Sequence, residues 1–222
     1  MSNNRIKNKR RKWNYSTSKQ RKYNKELCKK YPFLIPRNVW SDEIAWELDK
    51  NEKKYSWTLV EQFPTGWWKA FGLMMCEELR EDLIKYDYLD KFRFDEIKEK
   101  YGELRAYCNA IPIGSDATNI IDKYTVLSRN ICIKCGKPDV PMINITGWIS
   151  PYCYHCFNKI NKRIMDFGYE KLDYEKCICD KKEIKMPDSF TWRHFSKDKS
   201  WDETIDISET ANRIRNNWKG IK

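Results

Sequence analysis

Cys132 and Cys135 are followed by Cys153 and Cys156, and this C-x2-C-x17-C-x2-C spacing constrains the fold more than any other feature of the chain. Each C-x2-C pair brings two sulfurs together from one tight turn, and two such pairs complete the tetrahedron that structural zinc takes, with metal–sulfur bonds of about 2.3 Å. Gly136, directly after Cys135, frees the backbone for the first turn. Four cysteines leave no open position for water or substrate, so the expectation is one structural Zn2+ that supplies folding energy to residues 131–157. His155, inside the second pair, is expected to stay outside the coordination sphere because four thiolates already fill it. Cys177, Cys179 and His194 form a looser set at irregular spacing, which leaves a second metal site open as an alternative.

The metal reading agrees with the rest of the cysteine content. The chain has nine cysteines, and Met1-Ser2-Asn3-Asn4-Arg5-Ile6-Lys7 runs into further basic residues without an apolar leader. A cytoplasmic location is therefore expected, where thiols stay reduced and a disulfide framework does not form. No apolar run approaches the ~20 residues of a bilayer span, and 222 residues with 41% hydrophobic content suffice for one good core or two small ones.

The net charge of +11 is unevenly placed. Residues 1–30 carry twelve Lys and Arg against the single acid Glu26, whereas the remaining 192 residues carry 31 bases and 31 acids. The first thirty residues read as a basic arm, too poor in aliphatic side chains to offset their own ordering entropy. Arg5, Lys7, Lys9, Arg10, Arg11, Lys12, Arg21 and Lys22 are its candidate contacts to nucleic acid or to a partner. The bland alternative is a solvated tail.

Hydrophobic periodicity predicts an α+β fold: a small helix-rich α/β body, a zinc-ribbon-like four-cysteine unit, the basic N-terminal arm and a helical C-terminal extension. The segments expected are 1–30, 31–112, 113–167 and 168–222. Tyr31 to Arg37 reads as extended, residues 42–49 as weakly helical and residues 55–60 as a strand-like edge. Trp67, Phe71, Met75, Leu79, Leu83 and Tyr86 recur at helical steps behind a Thr65 cap, with Glu77, Glu78, Glu81, Asp82 and Lys85 on a wet opposite face. Residues 92–108 read as strand, helix, strand, with Gly102 closing the helix over 95–101. Ser115 is expected to cap a helix through Ile121, Tyr124 and Leu127, and Met142 to Ile149 to form a hairpin over Thr146-Gly147. Helices over 158–167, stopped by Gly168, and from Ser208 to Trp218 complete the reading.

Catalytic constellations are not recognisable. The two histidines, His155 and His194, sit in no H-N-H, H-x-x-E-H or G-x-S-x-G context, and there is no glycine-rich phosphate loop. Cys28, Cys76 and Cys108 stand alone and read as packed thiols. Of ten tryptophans, Trp40, Trp46, Trp57, Trp67 and Trp68 crowd the first half of the body, where core roles and exposed anchors compete.

Four stretches carry a resemblance. They are Tyr31-Pro32-Phe33-Leu34-Ile35-Pro36-Arg37, the run from Phe63 to Phe71, the run from Ile97 to Arg105, and the pairing of Cys132-Ile133-Lys134-Cys135-Gly136 with Gly147 to Cys153. Together they resemble a family of small zinc-binding proteins encoded by phages and prophages of Gram-positive bacteria. The resemblance spans residues 31–157 and implies context rather than mechanism. Phage accessory proteins of this size often bind a host machine, so it implies a non-enzymatic inhibitor or modulator of a host nucleoprotein, an anti-CRISPR-like role being the most concrete version. The alternative reading from the residues is a zinc-containing DNA- or RNA-binding protein that uses the basic arm. A structural or assembly role in a virion is the third.

Overall fold

The computed structural model describes residues 16–179 and 206–220. The second half of the basic segment is not an arm, because Ser18–Lys30 forms helix α1. The Thr17 hydroxyl accepts the Gln20 amide at 3.1 Å and caps it. Asn24, Leu27 and Cys28 stand three and four residues apart and are buried, which docks the helix on the body. The Asn24 amide group donates to the Tyr55 carbonyl at 3.0 Å and fixes that docking. Arg21 and Lys22 lie on this helix; Arg5, Lys7, Lys9, Arg10, Arg11 and Lys12 lie outside the described residues.

Pro32–Leu34 is a single 3-10 turn rather than extended chain, and it sinks Phe33 and Leu34 fully into the core. Ala45–Leu48 forms the short helix α2, as the sequence suggests. The strand expected over 55–60 is instead a turn opening into the 3-10 stretch Leu59–Gln62. Thr58 and Glu61 close a capping box there, with the Thr58 amide donating to the Glu61 carboxylate at 2.9 Å.

One continuous helical run then crosses the molecule, as α3 (Thr65–Trp67), a π-helical stretch (Trp68–Gly72) and α4 (Leu73–Lys85). Trp67, Phe71, Met75, Leu79 and Leu83 are all buried, as their spacing predicts, while Tyr86 is exposed. A strict four-residue repeat drifts around an α-helix by about 40° per step. The wider π turn takes back part of that drift and keeps the stripe on one face. Thr65 is not the cap: Pro64 occupies that position and Thr65 is already helical.

The opposite face is less wet than expected, because α1 and α5 (Ala117–Ser128) flank the run. Glu77 accepts the Tyr31 hydroxyl at 2.6 Å and pairs with Lys30 at 2.7 Å. Glu78 accepts the Tyr124 hydroxyl at 2.9 Å and pairs with Lys123. Asp82 is buried and takes the Asp116 amide at 3.0 Å, so Asp116, not Ser115, stands at the start of α5. Three carboxylates thus tie two neighbouring helices to this one.

Residues 92–108 form a hairpin without a helix: β1 (Arg93–Lys100) pairs antiparallel with β2 (Glu103–Asn109). Phe94 and Ile97 have a helix-like spacing, but an irregularity between Phe94 and Glu96 lets both face inward along a strand. Tyr101 and Gly102 have φ of 52° and 78°, the pair of positive angles that a tight hairpin turn needs. The second hairpin matches the sequence reading, with β3 (Met142–Ile145) and β4 (Trp148–Pro151) joined over Thr146 and Gly147.

Helix α6 (Tyr154–Asp166) starts four residues before the expected 158, inside the second cysteine pair, and Phe167 faces solvent rather than the core. After α7 (Tyr174–Cys177), the last helix described is α8 (Ser208–Asn217), anchored by a buried Ile214 with Ile207 and Ala211 packed against the core beside it. Buried side chains from Leu27 to Ile214 form one cluster, so residues from all four expected segments share a core in this mixed helix and sheet fold. No helix among the described residues is long and apolar enough to cross a membrane.

Candidate metal centre

The first cysteine pair sits in a loop that folds back on itself. The Cys132 amide donates to the Lys137 carbonyl at 2.8 Å, and the Gly136 amide donates to the Cys132 carbonyl at 2.9 Å. Gly136 has φ of 85°, which a side chain strains against. The second pair is placed by α6: Cys153 is the residue just before the helix and Cys156 lies in its first turn. The Ile133 amide donates to the Pro151 carbonyl at 2.9 Å and joins the two turns directly.

The four sulfurs lie within 4.8 Å of one another, an arrangement that could hold a metal ion. Sγ of Cys135 and Sγ of Cys153 are 3.6 Å apart. That distance is close to the ~3.8 Å edge of a tetrahedron built on bonds of about 2.3 Å. Cys132, Cys153 and Cys156 are buried and Cys135 is partly exposed, so the cluster has one accessible corner.

The electrostatics favour a cation. Burial works against ionising Cys132, but the backbone amides of Cys153, Cys135 and Lys134 turn toward its sulfur and hold the thiol below its ordinary value. Cys135 is pushed up to about 11, first by burial and then by the charge of Cys132, despite a backbone bond from Lys137. Burial and the same neighbouring charges push Cys156 higher still. Clustered thiolates repel one another, and a bound divalent ion would offset that repulsion.

The cluster is built into the body. An amide in the first turn of the long helical run, that of Gly66, donates to the Ile133 carbonyl at 2.9 Å, so the metal loop supplies a cap that Pro64 and Thr65 do not. The Trp67 indole donates to the Ile131 carbonyl at 2.8 Å across a sequence gap of 64 residues. A Cβ at Gly66 would meet the Cys132 carbonyl oxygen at 2.2 Å, and one at Gly136 would meet the Gly66 oxygen at 2.7 Å. Sequence reasoning missed Gly66 and Trp67 as supports of the site; their only signal was a glycine in the first turn of a strong helix.

His155 is exposed on α6 and outside the sulfur cluster, which is the only such group of three or more His, Cys, Asp and Glu side chains among the described residues. Cys177 and Cys179 sit at the edge of the second hairpin, where Ile178 bridges Ile143 and the Cys179 amide donates to the Met142 carbonyl at 3.1 Å. His194 lies outside the described residues. Cys76 is fully buried with its thiol pushed up by burial, and Cys28 and Cys108 are each raised to about 12, again by burial first. No known protein family, curated protein or solved structure matches the chain.

Proposed function

We propose that this chain is a non-enzymatic, zinc-stabilised binding protein that engages a nucleoprotein, with Cys132, Cys135, Cys153 and Cys156 as the ligands of one structural Zn2+. The sulfur geometry and the absence of an open position in a four-cysteine sphere support zinc as a structural rather than a reactive ion. The nucleoprotein part is carried by the placement of α1. Lys22, Lys25 and Lys29 recur at three- and four-residue steps and are exposed, while the opposite face of the same helix is docked on the core. A fixed row of lysines presents charge at a set spacing, which suits a line of phosphates. The sequence resemblance to phage accessory proteins adds the more specific version, an anti-defence inhibitor acting on a host nucleoprotein machine such as a CRISPR effector.

Direct binding of bare DNA or RNA is the second reading, favoured by the same lysine row. A salt titration separates the two. The triple variant Lys22→Glu, Lys25→Glu, Lys29→Glu should weaken capture of the partner and flatten its salt dependence by up to about 0.9 for each phosphate no longer neutralised. Tight binding of a bare 30-mer with an equally steep slope moves the second reading to first place. Unchanged partner affinity and slope in the variant refute both.

A further inference from the structure

A cleft of about 240 Å³ lies between the metal loop, the π-helical stretch and the end of α8. Its walls include Lys69, Cys135, Gly136, Asn217, Trp218 and Lys219, and no carboxylate among the described residues lines it. Lys69 and Lys219 are exposed, and Trp218 is half-buried. Lys137 Nζ stands 5.9 Å from the centroid of the Trp218 ring, a third cation at the same place. The π turn is part of the construction, since it carries Lys69 and Ala70 to the cleft, and such turns recur at functional sites.

We infer that this cleft takes one nucleotide of a single-stranded nucleic acid, its base stacked on Trp218 and its phosphates near Lys69, Lys137 and Lys219. The volume falls below the roughly 300 Å³ at which pockets for whole small molecules begin, which fits one unit of a polymer. A flat π face beside three cations matches a ligand that carries a ring and an anion in every repeat, as nucleotides do and acidic peptides do not. The inference rests on the reading that nucleic acid is part of what the protein binds, and it adds a second contact point, separate from α1 in the sequence and built on the metal loop.

The test is fluorescence anisotropy of a labelled dT12 and of a labelled U12 oligonucleotide with the full, zinc-loaded chain. Trp218→Ala should lower affinity at least about fivefold, as removal of a base stack does, while Trp218→Phe keeps most of it. Lys69→Gln with Lys219→Gln should lower it further and reduce the salt slope. An oligonucleotide bearing 5-iodouracil should crosslink at residue 218 in the wild-type chain. Zinc content and far-UV circular dichroism show that the Ala variant is folded, and the crosslink gives an answer without any variant. If the α1 triple variant loses binding while Trp218→Ala and the lysine pair do not, and no crosslink maps to Trp218, the cleft assignment is overturned and the α1 reading stands. If neither oligonucleotide binds the wild-type chain, the cleft assignment and the direct nucleic-acid reading both fall, and only the nucleoprotein reading of α1 is left. Competition at the cleft by poly-glutamate but not by oligonucleotide would overturn the assignment in favour of an acidic protein.

Discussion

The amide of Gly66 donates to the carbonyl of Ile133 at 2.9 Å, so the first turn of the longest helical run is capped by the loop that carries two of the four cysteines. The helix and the metal loop are therefore one cooperative unit, and damage to either should be felt by both.

Removing the metal should unfold more than the loop. One zinc per chain is expected, and chelation, or Cys135→Ser, should strip protection from the amides of Phe71, Met75 and Leu79 along with those of residues 131–157. Structural zinc carries folding free energy on the order of 10 kcal/mol, comparable with the whole stability of a typical domain. Hydrogen exchange followed residue by residue checks this; deprotection confined to 131–157 would mean that the two regions unfold separately. Zinc stoichiometry should be unchanged in Cys177→Ser with Cys179→Ser, because those thiols lie outside the sulfur cluster.

Gly66→Ala should be among the most damaging single methyl additions. The new carbon would meet backbone, the Cys132 oxygen at 2.2 Å, and backbone cannot step aside as a side-chain tip does. A destabilisation of about 3 kcal/mol is expected, at the upper end of overpacking costs. Gly147→Ala serves as the comparison, since nothing lies within 4 Å of its added carbon and only its φ of 90° opposes it. Urea unfolding of both variants gives the order.

The two halves of the basic segment should differ when deleted. A chain starting at Ser16 keeps Leu27, Cys28 and the Thr17 cap, and its melting temperature should match the full chain. One starting at Tyr31 uncovers the core beneath α1 and removes the Lys30 partner of Glu77, so its melting temperature should fall by several degrees. Equal melting temperatures for the two truncations would show that α1 contributes nothing to stability.

Stability should decline as pH rises out of the acid range. Burial raises Glu99 above its ordinary 4.5, outweighing the Gly102 amide at 2.6 Å and the Ser150 hydroxyl at 3.3 Å, and burial likewise raises Asp122 above 3.8. The folded chain holds more protons than the unfolded one between the ordinary and raised values, so this contribution weakens through that interval. Glu77, held low first by Lys30 and then by Tyr31, acts in the opposite sense: its contribution is present at neutral pH and is lost as pH falls through its lowered value. Glu99→Gln should flatten the decline above pH 4.5 without altering the acid limb, as read from unfolding midpoints across a pH series.

What the sequence determined by itself was local. The C-x2-C pairs, the Thr146-Gly147 hairpin and the buried stripe from Trp67 to Leu83 could be read off because each depends on residues close together in the chain, whose geometry follows from spacing alone. The misreadings occurred where a local pattern had two solutions. Phe94 and Ile97 fit a helix face as well as a bulged strand, and only pairing with Leu104 and its neighbours across the Tyr101-Gly102 turn selects the strand. The lysine-rich stretch from Ser18 to Lys30 lacked the apolar content to fold alone, and it is helical because Asn24, Leu27 and Cys28 find partners on a body that begins after it. The acids at 77, 78 and 82 read as a solvated face because nothing nearby in sequence marks Tyr31, Tyr124 and Asp116 as their partners. The cleft at Trp218 joins residues 69, 136 and 218, and the cap on Gly66 comes from position 133. Arrangements of that kind are decided when separate elements pack into one core, where each donor or carboxylate taken out of water must find its partner among whatever the packing brings within about 3 Å.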